Sequence, residues 1–322
     1  MSASTRILYA VLLAFLVIVP FQDFVYIVFV MKLLCFALFA SAFNLLLGYT
    51  GLLSFGHAAF FGGAAYVTAH ASKAWGLTPE LAILVGMVYA AVTGYLFGSL
   101  AIRRQGIYFA MITLALSQLI FFLALQMKFT GGEDGIQGVP RGHLFGLIDL
   151  SGDTAIYYFV LVLFLLGFLL IQRTIHSPFG QVLKSIRENE PRAISLGYDV
   201  KQFKLMAFVI SATIAGMAGA MKSLVFQLAT LTDVHWHMSG EVVLMTILGG
   251  IGTILGPVVG AGVVIGLQNY LASIGSFSTI VLGAIFVVCV LAFRRGIVGE
   301  LIAFMDRRKE AKDPRKDYEP SK

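Results

Sequence analysis

Between Val242 and Phe293 the chain carries no charged residue at all. In water so long an apolar run would aggregate. In hydrocarbon it is two or three helices, because there every backbone polar group has to be satisfied within its own segment. The rest of the 322 residues follows suit: 58% are hydrophobic and 12% charged, against about 25% charged in a soluble domain. Apolar blocks approaching the roughly 20 residues that cross a bilayer fall at about 7–20, 24–47, 52–71, 80–102, 107–127, 155–173, 203–229, 239–252, 255–274 and 277–294. The sequence therefore predicts an all-α fold, a polytopic transmembrane bundle of about ten spans. A transmembrane domain covers 1–305, with a charged cytosolic segment at 177–200 inside it, and 306–322 form a charged cytosolic tail. The stretch from Ile7 to Val19 resembles a signal peptide, but Pro20 and Asp23 follow where a small-x-small cleavage site would stand, so it reads as an uncleaved first span.

The net charge of +6 does not point to nucleic acid, because the basic residues lie in short runs between apolar blocks. With ten crossings Arg6, Arg103 and Arg104, the cluster from Arg173 to Lys204, and Arg294, Arg295, Arg307, Arg308 and Lys309 all fall on one side, the cytosolic one. Asp23, the loop from Thr130 to Asp153 and Asp233 fall outside, with Lys73, Lys128 and Arg141 as exceptions there. Both termini are then cytosolic. Cys35 and Cys289 lie in apolar runs and read as packing residues rather than a disulfide.

Ser177 to Tyr198 is half apolar and half charged. Val182, Leu183 and Ile186 recur at helical spacing, and Pro191 opens a second short helix with Ala193, Ile194 and Leu196 on its apolar side, closed by Gly197. Two such helices suit a knob that docks in a partner's groove. An interfacial helix on lipid headgroups is the other reading, and the interleaved Glu188, Glu190 and Asp199 favour docking. The chain holds no Gly-x4-Gly-Lys-Ser/Thr loop, so any ATP hydrolysis belongs to another polypeptide.

Four blocks occur in a telling order: Leu47-Gly-Tyr-Thr-Gly-Leu-Leu-Ser-Phe-Gly-His57, Thr130-Gly-Gly-Glu-Asp-Gly135, Ile186-Arg-Glu-Asn-Glu190 and Leu248-Gly-Gly-Ile-Gly-Thr-Ile-Leu-Gly-Pro257. Over roughly 30–300 the chain resembles the membrane components of the branched-chain amino acid ABC importers, the M-type partner of the H/M permease pair. The resemblance implies a permease in the bacterial inner membrane, paired with a second homologous permease. It also implies two cytosolic ATPase subunits that bind the ATP, an external solute-binding protein, and no cofactor in this chain. Within 177–200 it assigns ATPase coupling to Ser185, Ile186, Arg187, Glu188, Asn189, Glu190, Arg192, Ala193, Leu196 and Gly197. It places Gly131, Gly132, Glu133, Asp134 and Gly135 in a loop facing the binding protein. Urea, amide and aromatic-acid importers share the pattern. Glu133-Asp134, where a pair such as Pro-Asn is common, and Lys222, where a neutral residue is usual, depart from it.

Polar residues inside apolar blocks usually face the bundle interior, which makes Asn44, Thr50, Ser54, His57, Thr113, Gln118 and Lys222 candidates for a solute path. Helix–helix hydrogen bonding is the alternative for each, and a packing role the alternative for His57. Lys222 has three readings: snorkelling to the external headgroups, an internal pair with Asp233 or Glu241, or a cation at the outer mouth that draws in a carboxylate. Asp233, His235 and His237 are metal-capable, but an external interfacial loop with Trp236 in the aromatic belt accounts for them, and no metal site is expected. An ion-coupled secondary transporter would need a mid-span carboxylate, and Glu80 and Glu241 read as helix-end residues. No nucleophile–base pair suggests an enzyme.

Overall fold

The computed structural model describes residues 14, 16–22, 26–272, 278–292, 296–301 and 303. The first expected span lies mostly outside them, as do Arg6, Asp23, Arg294, Arg295 and the tail 306–322. Five helices are long and apolar enough to cross a membrane: α1 (Ile27–Thr50), α3 (Pro79–Ala101), α4 (Ile107–Gln126), α5 (Asp153–His176) and α8 (Val200–Phe226). Between them stand the shorter α2 (His57–Lys73), α6 (Pro178–Glu188), α7 (Glu190–Ser195), α9 (Leu231–Val234), α10 (Trp236–Gly249), α11 (Gly256–Leu271) and α12 (Ser278–Ala292). The chain is an all-α membrane bundle.

Helix ends follow local chemistry. α1 stops at Gly51, whose φ of +74° is the left-handed conformation glycine adopts most freely. Pro79 opens α3 in the first turn, where its missing N–H costs nothing. Ser177, Asn189 and Asp199 cap α6, α7 and α8 by accepting from the backbone N–H of Gly180, Arg192 and Gln202.

α8 is the central post, packed on α1, α2 and α3. Small residues let it in so closely: a Cβ on Gly219 would lie 1.9 Å from the Phe61 carbonyl oxygen, and one on Gly216 would lie 2.3 Å from the Ala90 Cβ. Gly86, Ala90, Gly94 and Gly98 of α3 form a stripe at four-residue spacing that faces these contacts. Lipid tails are as apolar as leucine, so such close van der Waals approach is what draws membrane helices together.

Four expected spans fall outside those five: 52–71, 239–252, 255–274 and 277–294 give helices of 17, 14, 16 and 15 residues. Over 52–71 helix begins only at His57, and over 239–252 α10 has 14 residues, about 21 Å, against 24 residues, about 36 Å, for α1. A Cβ on Gly62 would lie 2.5 Å from Val234 N, and Gly62 is 11 residues, about 16 Å, from the Lys73 end of α2, so α10 starts well inside the bundle. At the other end, His57 Nε2 lies 2.9 Å from Ser211 Oγ, which donates to the Ala42 carbonyl at 2.5 Å. Ala42 is about 12 Å from the cytosolic end of α1, so α2 starts well inside the bundle. The two half-length helices touch where the Ala58 N–H donates to Ser239 Oγ at 2.9 Å. Non-helical backbone at that depth is tolerated because it is enclosed in protein.

The 130–153 loop is a built structure. β1 (Ile136–Gln137) pairs antiparallel with β4 (Leu228–Ala229), and β2 (His143–Leu144) with β3 (Ile148–Asp149). Lys73 Nζ donates to the Gln137 carbonyl at 2.6 Å, and Arg141 bonds Asp153 at 2.9 Å and the Val225 carbonyl at 3.1 Å. The external basic residues Lys73 and Arg141, exceptions to the charge rule, are thus staples. α5 runs from Asp153 in this loop to His176 beside α6, which sets the loop and the 177–200 segment at opposite ends of the bundle.

Candidate coupling and translocation site

The 177–200 segment is a knob of two short helices, as the sequence indicates, but its apolar residues divide in two. Ile186, Ala193 and Val200 form a buried cluster of their own, with Val182 and Phe203 packed against it. Ile194 and Leu196, expected on the same side as Ala193, point outward, and with Tyr198 they are 58%, 67% and 40% exposed. The reason is helix α7's single turn: it can bury one position, and Ala193 takes it. Ser185, Glu188, Asn189, Arg192 and Gly197 are exposed around that apolar tip. Glu190 is instead spent inward, 2.8 Å from the buried Lys204 Nζ, bracing α7 against α8. Gly197, at φ +87°, closes the knob, with Tyr198 N–H donating to the Ala193 carbonyl.

Arg187 leaves the knob for the bundle. Its Nη1 donates to the Gly48 carbonyl, one of the last four of α1, which have no partner within the helix. A cation there also complements the negative end of the helix dipole. Around it the end of α1 is clamped to the break between α10 and α11. Asn44 Nδ2 donates to the Thr253 carbonyl, Asn44 Oδ1 accepts from Gly252 N–H, and the Tyr49 hydroxyl donates to the Gly252 carbonyl, each at 2.9 Å. Close approach requires glycine: a Cβ on Gly48 would lie 2.4 Å from Asn44 Oδ1 and 2.7 Å from Gly252 N.

Of the candidate path residues, Asn44 belongs to this clamp. Thr50, Ser54, His57 and Thr113 are buried, and their polar atoms serve neighbouring segments. Thr50 Oγ1 donates to Leu46 O, Ser54 Oγ accepts from Gly56 N–H, and Thr113 Oγ1 accepts from Phe55 N–H. His57 is enclosed by Phe43, Phe60 and Phe208. Gln118 is half-buried on α4.

Lys222 takes the internal pair among its three readings. Its Nζ lies 2.6 Å from Asp233 Oδ2, with side-chain exposures of 11% and 4%, so the ammonium does not reach the headgroups. The same carboxylate oxygen accepts from the N–H and the hydroxyl of Thr230, a capping box for α9. Nearby, Glu241 hydrogen-bonds Gln268, and Lys32 is within electrostatic reach of Glu241. Glu241 is near a helix start, as expected, but that start is itself inside the bundle, so the expectation that no carboxylate lies within the spans is corrected. His235, Trp236 and His237 likewise sit at the recessed start of α10, the His235 ring against Phe121 at 5.1 Å, and not in an external loop. Among the described residues no group of three His, Cys, Asp or Glu side chains is placed to hold a metal ion.

At the external end Gly131, Gly132 and Gly135 have φ of +77°, +60° and +67°. A Cβ on Gly135 would lie 2.3 Å from the Ala229 carbonyl oxygen. These glycines serve the backbone, and Glu133 and Asp134 are the exposed side chains beside them. Sequence reasoning missed Tyr49, Thr253, Ser211 and Ser239. Tyr49 and Thr253 stand inside the two glycine motifs and could have been found there; nothing local marks the two serines.

A pair of short helices that start inside the bundle, a two-helix knob at one end and a polar clamp between them are built into one helical membrane bundle. The chain matches the family described as branched-chain amino acid transport system / permease component over residues 25–290, and it belongs to that family. It is 27% identical over 278 residues to the high-affinity branched-chain amino acid transport system permease protein LivM of Escherichia coli, covering 79% of this chain and 65% of that one. It thus spans somewhat under two thirds of that relative's length. The probable LivM protein of Methanocaldococcus jannaschii is 26% identical over 62% of this chain and 60% of its own. The autoinducer 2 import system permease protein LsrC of Salmonella typhi is 29% identical over 58% and 53%. No solved structure matches.

Proposed function

We propose that the chain is one half of the pore of an ATP-driven importer that carries branched-chain and other small apolar amino acids inward across the bacterial inner membrane. A second homologous permease completes the pore, two ATPase subunits bind ATP and dock on the cytosolic side, and an external binding protein delivers the solute. The bundle crosses about ten times with both termini in the cytosol. The observation that carries this reading is the knob: Ile194, Leu196 and Tyr198 are apolar and exposed, ringed by Glu188 and Arg192, on a support held rigid from within. An apolar tip with a charged rim is what a partner's groove receives. Glu133 and Asp134 offer the binding protein a charged contact at the opposite end. The recessed starts of α2 and α10 follow the pattern of transporters whose broken helices turn positive dipole ends toward an anionic solute group.

Replacing both Ile194 and Leu196 by Asp tests it. The double variant should fold with unchanged thermal stability, yet fail to co-purify with the ATPases or to support uptake in vesicles. Full ATPase retention by the variant would remove the docking role. Cysteines at Gly135 and Ser185 should be labelled from opposite faces.

A further inference from the structure

Two cations of α6 reach from the knob to the clamp. Arg187 donates to the Gly48 carbonyl, its Nη1 would lie 3.2 Å from a Cβ on Gly252, and Lys184 Nζ sits 5.7 Å above the Tyr49 ring. Everything else in the clamp (Asn44 to Thr253 and Gly252, Tyr49 to Gly252) binds the end of α1 directly to the 250–255 break. Two of its glycines, Gly250 and Gly252, stand at φ +121° and +78°, in a stretch that belongs to no helix. The backbone of 51–56, which follows the end of α1, is not helical, and Leu52 there is 6% exposed. The end of α1, the break and Leu52 thus form a plug at the cytosolic face, made of backbone hydrogen bonds that can be remade and fastened by one guanidinium from outside the bundle.

We propose that this plug is the cytosolic gate and that Arg187 is the positioning residue that latches it. With Arg187 on the Gly48 carbonyl, the end of α1 is held against the 250–255 break. When the knob moves with its ATPases, Arg187 is drawn off, the Gly48 carbonyl turns to water, and α1 parts from the break. Arg187 sits on the knob yet points away from its exposed apolar tip, which separates latching from docking. The inference rests on the importer reading for what moves the knob, but the latch itself exists in the chain alone.

The test uses the full-length chain in sealed inside-out vesicles made without the ATPases, with Cys35 and Cys289 replaced by Ser and a cysteine placed at Leu52. A membrane-impermeant maleimide is applied to the cytosolic face. With Arg187 present, labelling should be slow. Arg187→Met keeps the stem and removes the donors, and it should label about tenfold faster, the population shift from losing one charge-assisted hydrogen bond. Arg187→Lys, retaining charge without the fork, should fall between, and its labelling rate decides the question should the Met variant fail to fold. Equal, slow labelling of folded Arg187, Met and Lys forms would overturn the latch. Because no ATPase is present, that outcome is distinct from failure of the importer reading, which the co-purification experiment reports.

Discussion

The two ends of the bundle, the one with the 130–153 loop and the one with the 177–200 knob, are fastened by different chemistry. At the loop end, a buried ion pair, Lys222 with Asp233, ties α8 to α9 where both side chains are almost without solvent. At the knob end, Asn44, Tyr49 and Arg187 hold backbone atoms of Gly48, Gly252 and Thr253. A buried pair is strongly destabilised by loss of one partner, because the other is left charged in hydrocarbon. Hydrogen bonds to backbone near water can be exchanged for water at a net cost of about 0.5–1.5 kcal/mol each. The outer fastening is therefore permanent and the inner one reversible, as alternating access from the two sides would require of a gate and its frame.

The largest effect is expected where the comparison is sharpest. Lys222→Met should cost about 3–5 kcal/mol by stranding Asp233, read as a lowered unfolding midpoint in detergent. The double variant Lys222→Met with Asp233→Asn should recover most of it. If the single variant is as stable as the parent, the pair is not the outer fastening. Reduced uptake in Lys222→Met would then speak for a solute contact.

Next comes the inner clamp itself. Gly48→Ala introduces a Cβ 2.7 Å from Gly252 N, and overpacking of this kind costs about 1–3 kcal/mol. The variant should unfold earlier than the parent, though later than Lys222→Met, and its cytosolic face should be more accessible to label. An unfolding midpoint equal to that of the parent would show that the clamp is loose.

How much of this was legible in the sequence depends on the range of the signal. Charge asymmetry read across the whole chain correctly set the 130–153 loop opposite the 177–200 segment, because it sums many residues. The glycine motifs at 48–51 and 249–252 stand where α1 and α10 end. That the two ends meet could not be read, since Asn44 and Thr253 are brought together by tertiary packing alone. Hydropathy made 52–71 and 239–252 look like full crossings because buried protein and lipid select the same apolar residues. The tight face of α8 was present as Ala212, Gly216 and Ala220 at four-residue spacing, a pattern that periodicity could have revealed. Lys222 had three readings because sequence gives depth without neighbours.

A smaller effect is expected at the root of the knob. Glu190→Gln keeps an acceptor for Lys204 but removes the opposite charge, and should cost about 1.5 kcal/mol, the low end for hydrogen bonds to charged groups. Lys204 is 6% exposed in its side chain, which is why the loss should be measurable at all. A midpoint that does not move would show that Lys204 reaches water when Glu190 lets go.

The smallest effect on the fold, and the most telling about function, belongs to Glu188. It is exposed at the end of α6 and makes no ion pair among the described residues. Reversing its charge should therefore leave the unfolding midpoint within about 0.5 kcal/mol of the parent. Against a partner the same change is different in kind: a reversed charge desolvated in an interface costs about 2–5 kcal/mol. Glu188→Lys should thus have a normal bundle, a normal inner clamp and weakened ATPase capture in pull-downs, with uptake falling in proportion. Intact capture alongside lost uptake would move the role of Glu188 from docking to transmission, and intact capture with intact uptake would leave the apolar tip, not its charged rim, as the contact.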